Sequence, residues 1–247
     1  MYTLVLVLLS FTALLAASPG SQRIIGGQDV QIEKVPWQVS LQVDGQHFCG
    51  GSIYNESFIV TAAHCVDKYP AENLAIRAGS SYKNNGGVLV QVAATKFHEK
   101  YNKRRGENDV AVIRLANPLP IGDNIQPITL AEEEPAEGSP ALSTGWGATR
   151  IGIFGGRYPD KLQGVNIKIE NRQKCKWTSL WSMLDDDLCA GVVGHAHCFG
   201  DSGGPLVVEK TLVGISSRTG NAFCLSPGYY VSVAKFRPWI LKAFIEV

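Results

Sequence analysis

Three short segments of the chain contain side chains that could act together on an acyl group. Ser202 lies in Gly-Asp-Ser-Gly-Gly-Pro at 200–205, where small neighbours let backbone N–H groups approach a substrate oxygen. A serine hydroxyl is a weak nucleophile, and it needs a base that is itself oriented by a carboxylate. His64 follows one apolar run and Asp109 opens another. These residue types predict nucleophilic catalysis by Ser202, His64 and Asp109 acting together.

The segments that must position these residues resemble β-strands. Short β-branched or apolar runs separated by Gly, Asn, Asp and Pro recur along the chain, at 39–43, 57–63, 88–94, 109–115, 165–169, 204–208, 211–216 and 229–233. Many short strands bounded by turns favour antiparallel sandwiches or barrels. Near the end, Pro238 suits a first helical turn and precedes apolar residues at helical spacing, Trp239, Ile240, Ala243 and Phe244. We predict an all-β fold with one C-terminal helix.

Composition and charge exclude several classes of protein. The 247 residues are 45% hydrophobic and 18% charged, which is typical of a globular protein and excludes disorder, collagen and coiled coil. Lys plus Arg number 23 and Asp plus Glu 22, so we expect no nucleic acid and no anionic membrane as partner. The length suits one or two units, and the acidic segment 131–140, with Pro and Gly, is the clearest linker between two β-rich halves.

The first residues have the pattern of a secretory leader. An uncharged apolar run at 5–17 ends in small residues and is followed by Ser-Pro-Gly, which predicts a signal peptide at 1–17 that could reach residue 20. The run is too short for a membrane span, and no later stretch approaches one. We therefore expect a secreted, extracellular protein.

The cysteine count agrees with secretion. All six cysteines follow the leader, and an even number in a secreted chain suggests three disulfides, for which 15 pairings are possible. A metal site built from His195, His197 and Cys198 has no second ligand cluster, so we expect no metal.

The ordered motifs resemble the chymotrypsin-like serine protease family, which includes trypsin, chymotrypsin and elastase. The resemblance covers residues 24–247 and includes, in the family's order, IIGG (24–27), PWQVSL (36–41), CGGS (49–52), TAAHC (61–65), DVAVIRL (109–115), GWG (145–147), CAG (189–191) and GDSGGP (200–205). It implies one peptidase domain over 24–247. This domain would contain two packed antiparallel six-stranded β-barrels, with the active site between them, and the C-terminal helix.

The resemblance also implies the role of each residue in the predicted site. His64 would be the general base, Asp109 would orient it, and Ser202 would attack the scissile carbonyl. The N–H groups of Gly200 and Ser202 would form the oxyanion hole, and Ser217 would support Asp109. The expected activity is that of a secreted serine endopeptidase that cleaves polypeptides through an acyl-enzyme.

The resemblance further implies that the protein is made as a zymogen. Residues 18–23 would be an activation propeptide, cut after Arg23 by a trypsin-like protease. The new ammonium group of Ile24 would then pair with a buried Asp201 and order the oxyanion hole.

The family's disulfide pairing would join Cys49 to Cys65, Cys175 to Cys189, and Cys198 to Cys224. A fourth bridge of the family is missing, because Ala141 and Val208 stand where its two cysteines would be.

The specificity pocket departs from the pattern of trypsin. Ala196 stands at the pocket base where a tryptic enzyme needs Asp, so cleavage after Lys or Arg is disfavoured. Thr219 would narrow one wall while Gly228 keeps the opposite wall clear, which implies a preference for modest apolar residues. His197 and Arg218 are basic residues beside this pocket, and an alternative is a positive pocket that accepts Glu or Asp. We favour His197 hydrogen-bonded within its own loop and Arg218 pointing to solvent.

The remaining expectations concern ligands and partners. The loop at 81–90 matches a calcium-binding loop of the family but has no Asp or Glu, so we expect no calcium and no cofactor. Asn55 begins a glycosylation sequon, which is a weak signal. The enzyme would be a monomer open to protein inhibitors. The alternative function is a catalytically weak or inactive homologue that acts as a binding or cofactor protein.

Overall fold

The computed structural model describes residues 27–152, 155–178, 183–221 and 223–247. The predicted signal peptide, the propeptide with Arg23, and Ile24 lie outside the described residues. Within the described ranges, no helix is both long and apolar enough to cross a membrane.

The first half of the chain forms a closed antiparallel barrel. The elements of this half are β1 (Gln28–Asp29), β2 (Gln38–Val43), β3 (Gln46–Asn55), β4 (Phe58–Thr61), α1 (Ala63–Val66), β5 (Leu74–Ala78), β6 (Val88–Phe97) and β7 (Ala111–Leu115). Six of these strands close the barrel in the order β2-β3-β4-β7-β6-β5. The apolar residues that alternate along them fill its interior, among them Leu41, Ile53, Ile59, Ile76 and Ile113, each fully buried.

The second half forms a larger sheet. Its elements are β8 (Thr129–Leu130), β9 (Pro140–Gly145), β10 (Arg150–Gly152), β11 (Gly155–Arg157), β12 (Gln163–Lys168), α2 (Arg172–Thr178), β13 (Asp187–Ala190), β14 (Pro205–Val208), β15 (Thr211–Thr219), β16 (Gly228–Ser232) and α3 (Val233–Glu246). The strand order is β1-β12-β9-β14-β15-β16-β13, with β8 parallel to β15. Strands β10 and β11 form a separate hairpin.

Backbone hydrogen bonds bring the two ends of this second sheet together. Ile169, which follows β12, makes an antiparallel bridge to Ala190 at the end of β13. The N–H of Glu170 donates to the carbonyl of Cys189 at 2.8 Å. Strands β12, β9, β14, β15, β16 and β13 thus form a second six-stranded barrel, and β1 and β8 pair in addition with β12 and β15. The predicted all-β class with a C-terminal helix is confirmed.

Two local features differ from the sequence-based expectation. Helix α3 begins at Val233, because the Ser232 side chain caps it by accepting the N–H of Lys235, and Pro238 lies inside the helix. The prediction that Pro238 occupies the first turn was therefore wrong. The acidic segment 131–140 follows β8, which already pairs with β15, so the chain crosses between the two sheets before this segment.

Candidate active site

His64 lies where the first barrel meets the seam between the halves. Strand β4 ends at Thr61 and helix α1 begins two residues later, so the end of the strand fixes the position of His64. Its backbone N–H donates to Oδ1 of Asp109 at 2.9 Å, and its Nδ1 lies 2.8 Å from Oδ2 of the same carboxylate. The two contacts fix both the backbone and the ring of His64 against one group.

Asp109 is held as a buried, ionised carboxylate. Its side chain is 2% exposed, and Oδ2 also accepts the hydroxyl of Ser217 at 2.6 Å. Burial raises the pKa of Asp109, but the charge of His64 and the hydrogen bonds from His64 and Ser217 outweigh burial and lower this pKa below its usual value. The preceding Asn108 has φ of 54°, a left-handed conformation that Asn tolerates better than most residues.

Asp109 also raises the proton affinity of His64. Burial alone lowers the pKa of His64, but the charge and hydrogen bond of Asp109 outweigh burial and raise the pKa above 6.5. Only the neutral imidazole can accept a proton from a hydroxyl, so the activity should fall as the pH drops through this raised pKa.

An NMR titration of the histidine rings in the mature protein tests this coupling. We expect the titration midpoint of His64 to lie above 6.5 and to fall in Asp109→Asn, because the charge and the hydrogen bond that raise it are lost. His98 is the control, because burial lowers its pKa and Asp109 does not contribute to that shift. An unchanged midpoint for His64 in the variant would contradict the coupling.

Ser202 belongs to the second half and is docked onto the first. The N–H of Gly50 on β3 donates to the carbonyl of Ser202 at 2.7 Å. Gly203 has φ of 76°, and a Cβ there would lie 2.2 Å from Oγ1 of Thr61. Since Thr61 ends the strand that leads to His64, this close packing brings Ser202 and His64 to the same seam.

The backbone on either side of Asp201 is open to an incoming group. Within the described part of the chain, the N–H groups of Gly200 and Ser202 donate to no protein acceptor. Gly200 has φ of 96°, a conformation that L side chains rarely adopt. Two unpaired backbone donors next to a serine are suited to bind a developing oxyanion.

His47 is a site residue that the sequence analysis missed. Its Nε2 donates to the carbonyl of Gly200 at 3.0 Å, and its Nδ1 accepts from Oγ of Ser40 at 2.9 Å. Burial lowers the pKa of His47 to about 4, so the ring is neutral at pH 7. His47 thus anchors the Gly200 loop to the first barrel. In the sequence, the only indication of this role is that His47 lies two residues before Cys49.

Asp201 is a buried carboxylate without a cation among the described residues. It is 1% exposed and accepts the N–H groups of Gly147 at 2.7 Å and Cys198 at 2.9 Å. Burial raises its pKa to about 6, and these two hydrogen bonds only partly offset burial. A Cβ at Gly145 or Gly147 would lie 2.1 or 2.4 Å from the Asp201 side chain, which explains the glycines of the GWG motif.

Three disulfides brace these segments, and they match the pairing that the resemblance implies. They join Cys49 to Cys65, Cys175 to Cys189, and Cys198 to Cys224. The sulfurs of the first bridge lie close to the ring of His64. Because these sulfurs are bonded to each other, they are not metal ligands.

The predicted specificity pocket has a filled base. Ala196 is fully buried and His197 is 2% exposed. The imidazole of His197 packs edge-on against Tyr230, with 4.6 Å between ring centroids, and bonds to the backbone of Arg218. The expectation that His197 bonds within its own loop was therefore wrong. Burial lowers the pKa of His197 to about 4, so the ring carries no charge at pH 7.

The predicted wall residues lie on neighbouring strands. Thr219 and Gly228 are cross-strand partners on β15 and β16. A Cβ at Gly228 would lie 2.4 Å from Nδ1 of His197. The space that this glycine leaves is therefore occupied by the imidazole.

Arg218 does not point to solvent, which corrects the sequence-based expectation. Its guanidinium pairs with the carboxylate of Asp187, and the two side chains are 18% and 2% exposed. The guanidinium carbon also lies 5.3 Å from the ring centroid of Tyr229. Because Asp187 is buried beside β16, it draws Arg218 away from the pocket base.

A two-barrel β fold with His, Asp and Ser at one seam defines the class of serine-type endopeptidases, and comparisons with known proteins agree. A family model described as Trypsin matches residues 24–240. Trypsin alpha-4 of Lucilia cuprina is 44% identical over 229 residues, 91% of this chain and 89% of the relative. Hypodermin-A of Hypoderma lineatum is 41% identical over 229 residues, with coverages of 91% and 89%. The chain belongs to the trypsin family of serine proteases.

A solved structure supports the same assignment. Neuropsin, a serine protease expressed in the limbic system of mouse brain, has a TM-score of 0.80 to this chain at 29% sequence identity. The match covers 88% of this chain and 98% of the neuropsin chain. The prediction of a serine-type endopeptidase is confirmed.

Proposed function

We propose that this endopeptidase is secreted as a zymogen and, once cut after Arg23, cleaves peptide bonds that follow modest apolar residues. Ser202 Oγ attacks the scissile carbonyl carbon while Nε2 of His64 takes the hydroxyl proton. The carbonyl π electrons move to oxygen, and the N–H groups of Gly200 and Ser202 stabilise the resulting oxyanion. The C–N bond then breaks as the imidazolium of His64 returns the proton to the leaving amine.

The second half of the cycle releases the acyl group. A water molecule gives a proton to His64 and attacks the Ser202 ester, and collapse of this second oxyanion returns the proton to Ser202 Oγ. Asp109 stays ionised throughout and stabilises the imidazolium each time it forms. The observation that carries this proposal is the Ser217–Asp109–His64 chain of hydrogen bonds at 2.6 and 2.8 Å.

Labelling with a fluorophosphonate tests whether the site is active. After cleavage at Arg23, the wild-type protein should be labelled once, at Ser202, and Ser202→Ala should not be labelled. An intact, cleaved protein that fails to react would instead favour the alternative of an inactive homologue that serves as a binding protein.

The preference for modest apolar residues rests on the filled pocket base. Ala196 offers no carboxylate, and the buried imidazole of His197 is neutral and takes up depth. A substrate Lys or Arg would enter unpaired, at a cost of several kcal/mol. Trypsin alpha-4 is named as a trypsin, but this chain has Ala196 at the position where tryptic cleavage depends on Asp.

Profiling on peptides that differ only in the residue before the cut tests the pocket. The wild-type enzyme should prefer Ala, Val or Leu over Phe, and it should cleave after Arg at least about 100-fold less efficiently. Thr219→Gly should raise kcat/KM for Phe about tenfold, because it removes branched bulk. Thr219→Ser is the matched control and should change little. A wild-type preference for Arg, or for Glu with a loss in His197→Ala, would overturn this pocket assignment.

A further inference from the structure

An open cavity of about 670 Å³ lies beside His64, away from the filled pocket base. Its inner side is formed by the site itself, including Asp109 and Ser217. Its outer side is formed by three consecutive cations, Lys103, Arg104 and Arg105, which we call the basic rim. The cavity therefore joins the candidate active site to a dense positive charge.

Two cations of the basic rim are paired with carboxylates of the chain itself. Lys103 lies 2.8 Å from Asp67, and Arg105 lies 3.1 Å from Glu107. The two cationic side chains are 61% and 69% exposed. Glu107 is 30% exposed, and a surface pair of this kind contributes only about 0–1 kcal/mol, so a ligand carboxylate can replace it on Arg105 at little cost. Asp67 is only 10% exposed, so Lys103 stays in place as its cation.

Arg104 is the unbalanced charge of the basic rim. It is exposed, and among the described residues no carboxylate lies within ion-pair distance of it. Its backbone is nevertheless fixed, because Oδ1 of Asn102 accepts its N–H at 3.2 Å and the carbonyl of Asn102 accepts Gly106 N–H at 2.7 Å. The turn thus presents a guanidinium without a carboxylate partner at a defined place on the cavity.

Strand β15 connects this cavity to the specificity pocket. Ser217 and Arg218 line the cavity, and the next residue, Thr219, belongs to the pocket that we assign to the residue before the cut. An extended substrate that runs along β15 from Thr219 toward Ser217 would advance about 3.3 Å per residue and would place the residues before the cut over the cavity. Arg218 cannot itself take a substrate carboxylate without giving up Asp187.

We propose that the basic rim binds acidic side chains at the second to fourth positions before the cut, so that the enzyme selects substrates with Asp or Glu there. This inference rests on the proposed endopeptidase function and specifies its substrate class. The preference for acidic residues is thus assigned to the basic rim and not to the pocket base. At the pocket base, His197 is neutral and Arg218 is turned away.

Matched peptides test the proposal. The two peptides of a pair have the same residue directly before the cut. One has Asp and Glu at the second to fourth positions before the cut, and the other has Asn and Gln there. We expect kcat/KM to be about fivefold higher for the acidic peptide, mainly through KM. The preference should shrink in about 1 M salt, where the Debye length falls to about 3 Å.

Variants of the basic rim separate this proposal from simpler explanations. Arg104→Gln should remove most of the acidic preference, and replacement of Lys103, Arg104 and Arg105 together by Gln should abolish it. Arg114→Gln is the control, since Arg114 is exposed on β7 outside the cavity, and it should keep the preference. Equal cleavage of both peptides by the wild-type enzyme, or a preference that survives the triple variant, overturns the proposal.

Binding to Ser202→Ala distinguishes failure of this proposal from failure of the proposed function. Fluorescence anisotropy on the cleaved Ser202→Ala protein should give a lower Kd for the acidic peptide than for the amide peptide, whether or not catalysis occurs. If neutral peptides are cleaved and Ser202 is labelled but no charge preference appears in either assay, only the basic-rim proposal is wrong.

Discussion

Replacement of Ser202 by alanine should reduce kcat by at least about four orders of magnitude while the protein stays folded. Nucleophile, base and orienting carboxylate act as a unit, and the expected size of the loss is the one established for serine proteases with this triad. Asp109→Asn should lose a similar amount, because an amide at this position favours the wrong tautomer of His64. The measurement is kcat on the best apolar peptide, with circular dichroism and thermal unfolding to check the fold.

A variant that combines two of these changes tests whether the residues act as a unit. Ser202→Ala with His64→Ala should be only slightly less active than Ser202→Ala alone, because the remaining activity no longer depends on proton transfer by His64. Ser81→Ala is the control for expression and purification, because Ser81 lies in a loop outside the proposed site, and it should keep the wild-type kcat. If the loss of kcat in the double variant equalled the product of the two single losses, the residues would not act as a unit.

Replacement of Arg23 by glutamine should give a secreted, folded precursor that trypsin cannot activate. Asp201 is buried, and burial raises its pKa to about 6 because the described residues supply no cation. The ammonium of Ile24, freed by the cut, would supply that charge, and breaking such a buried pair costs about 3–5 kcal/mol. The precursor should therefore be about 10²- to 10⁴-fold less active than the cleaved enzyme.

Asp201→Asn separates the cut from the ion pair. This variant should be cut after Arg23 like the wild type, as followed by mass spectrometry, yet remain poorly active because the ammonium has no anionic partner. Full activity in uncut Arg23→Gln, or in cut Asp201→Asn, would show that this pair does not order the oxyanion hole.

Sequence was most informative where chemistry is encoded in short, contiguous segments. Ser202, His64 and Asp109 each lie in a motif of a few residues, and short apolar runs bounded by turn residues predict the strands beside them. The fold class followed, because the same strands must bury their apolar faces.

Sequence was less informative where a residue's role depends on a distant partner. Arg218 turns away from the pocket because Asp187, 31 positions earlier, is buried beside it. His47 reaches Gly200 across 153 positions. No local spacing encodes such pairs. The sequence analysis did not single out the basic rim, because its place beside His64 depends on how the segment between β6 and β7 folds over the seam.

The docking of the Ser202 loop onto the first barrel limits how this chain can be recombined with its relatives. A Cβ on Gly50 would lie 3.0 Å from Cα of Gly204, and one on Gly203 would lie 2.2 Å from Thr61. The two halves therefore fit by backbone against backbone. In a chimera that takes each half from a different parent, the first half must keep Gly50 and a small residue at position 61, and the second half must keep Gly203. Otherwise Ser202 will not align with His64.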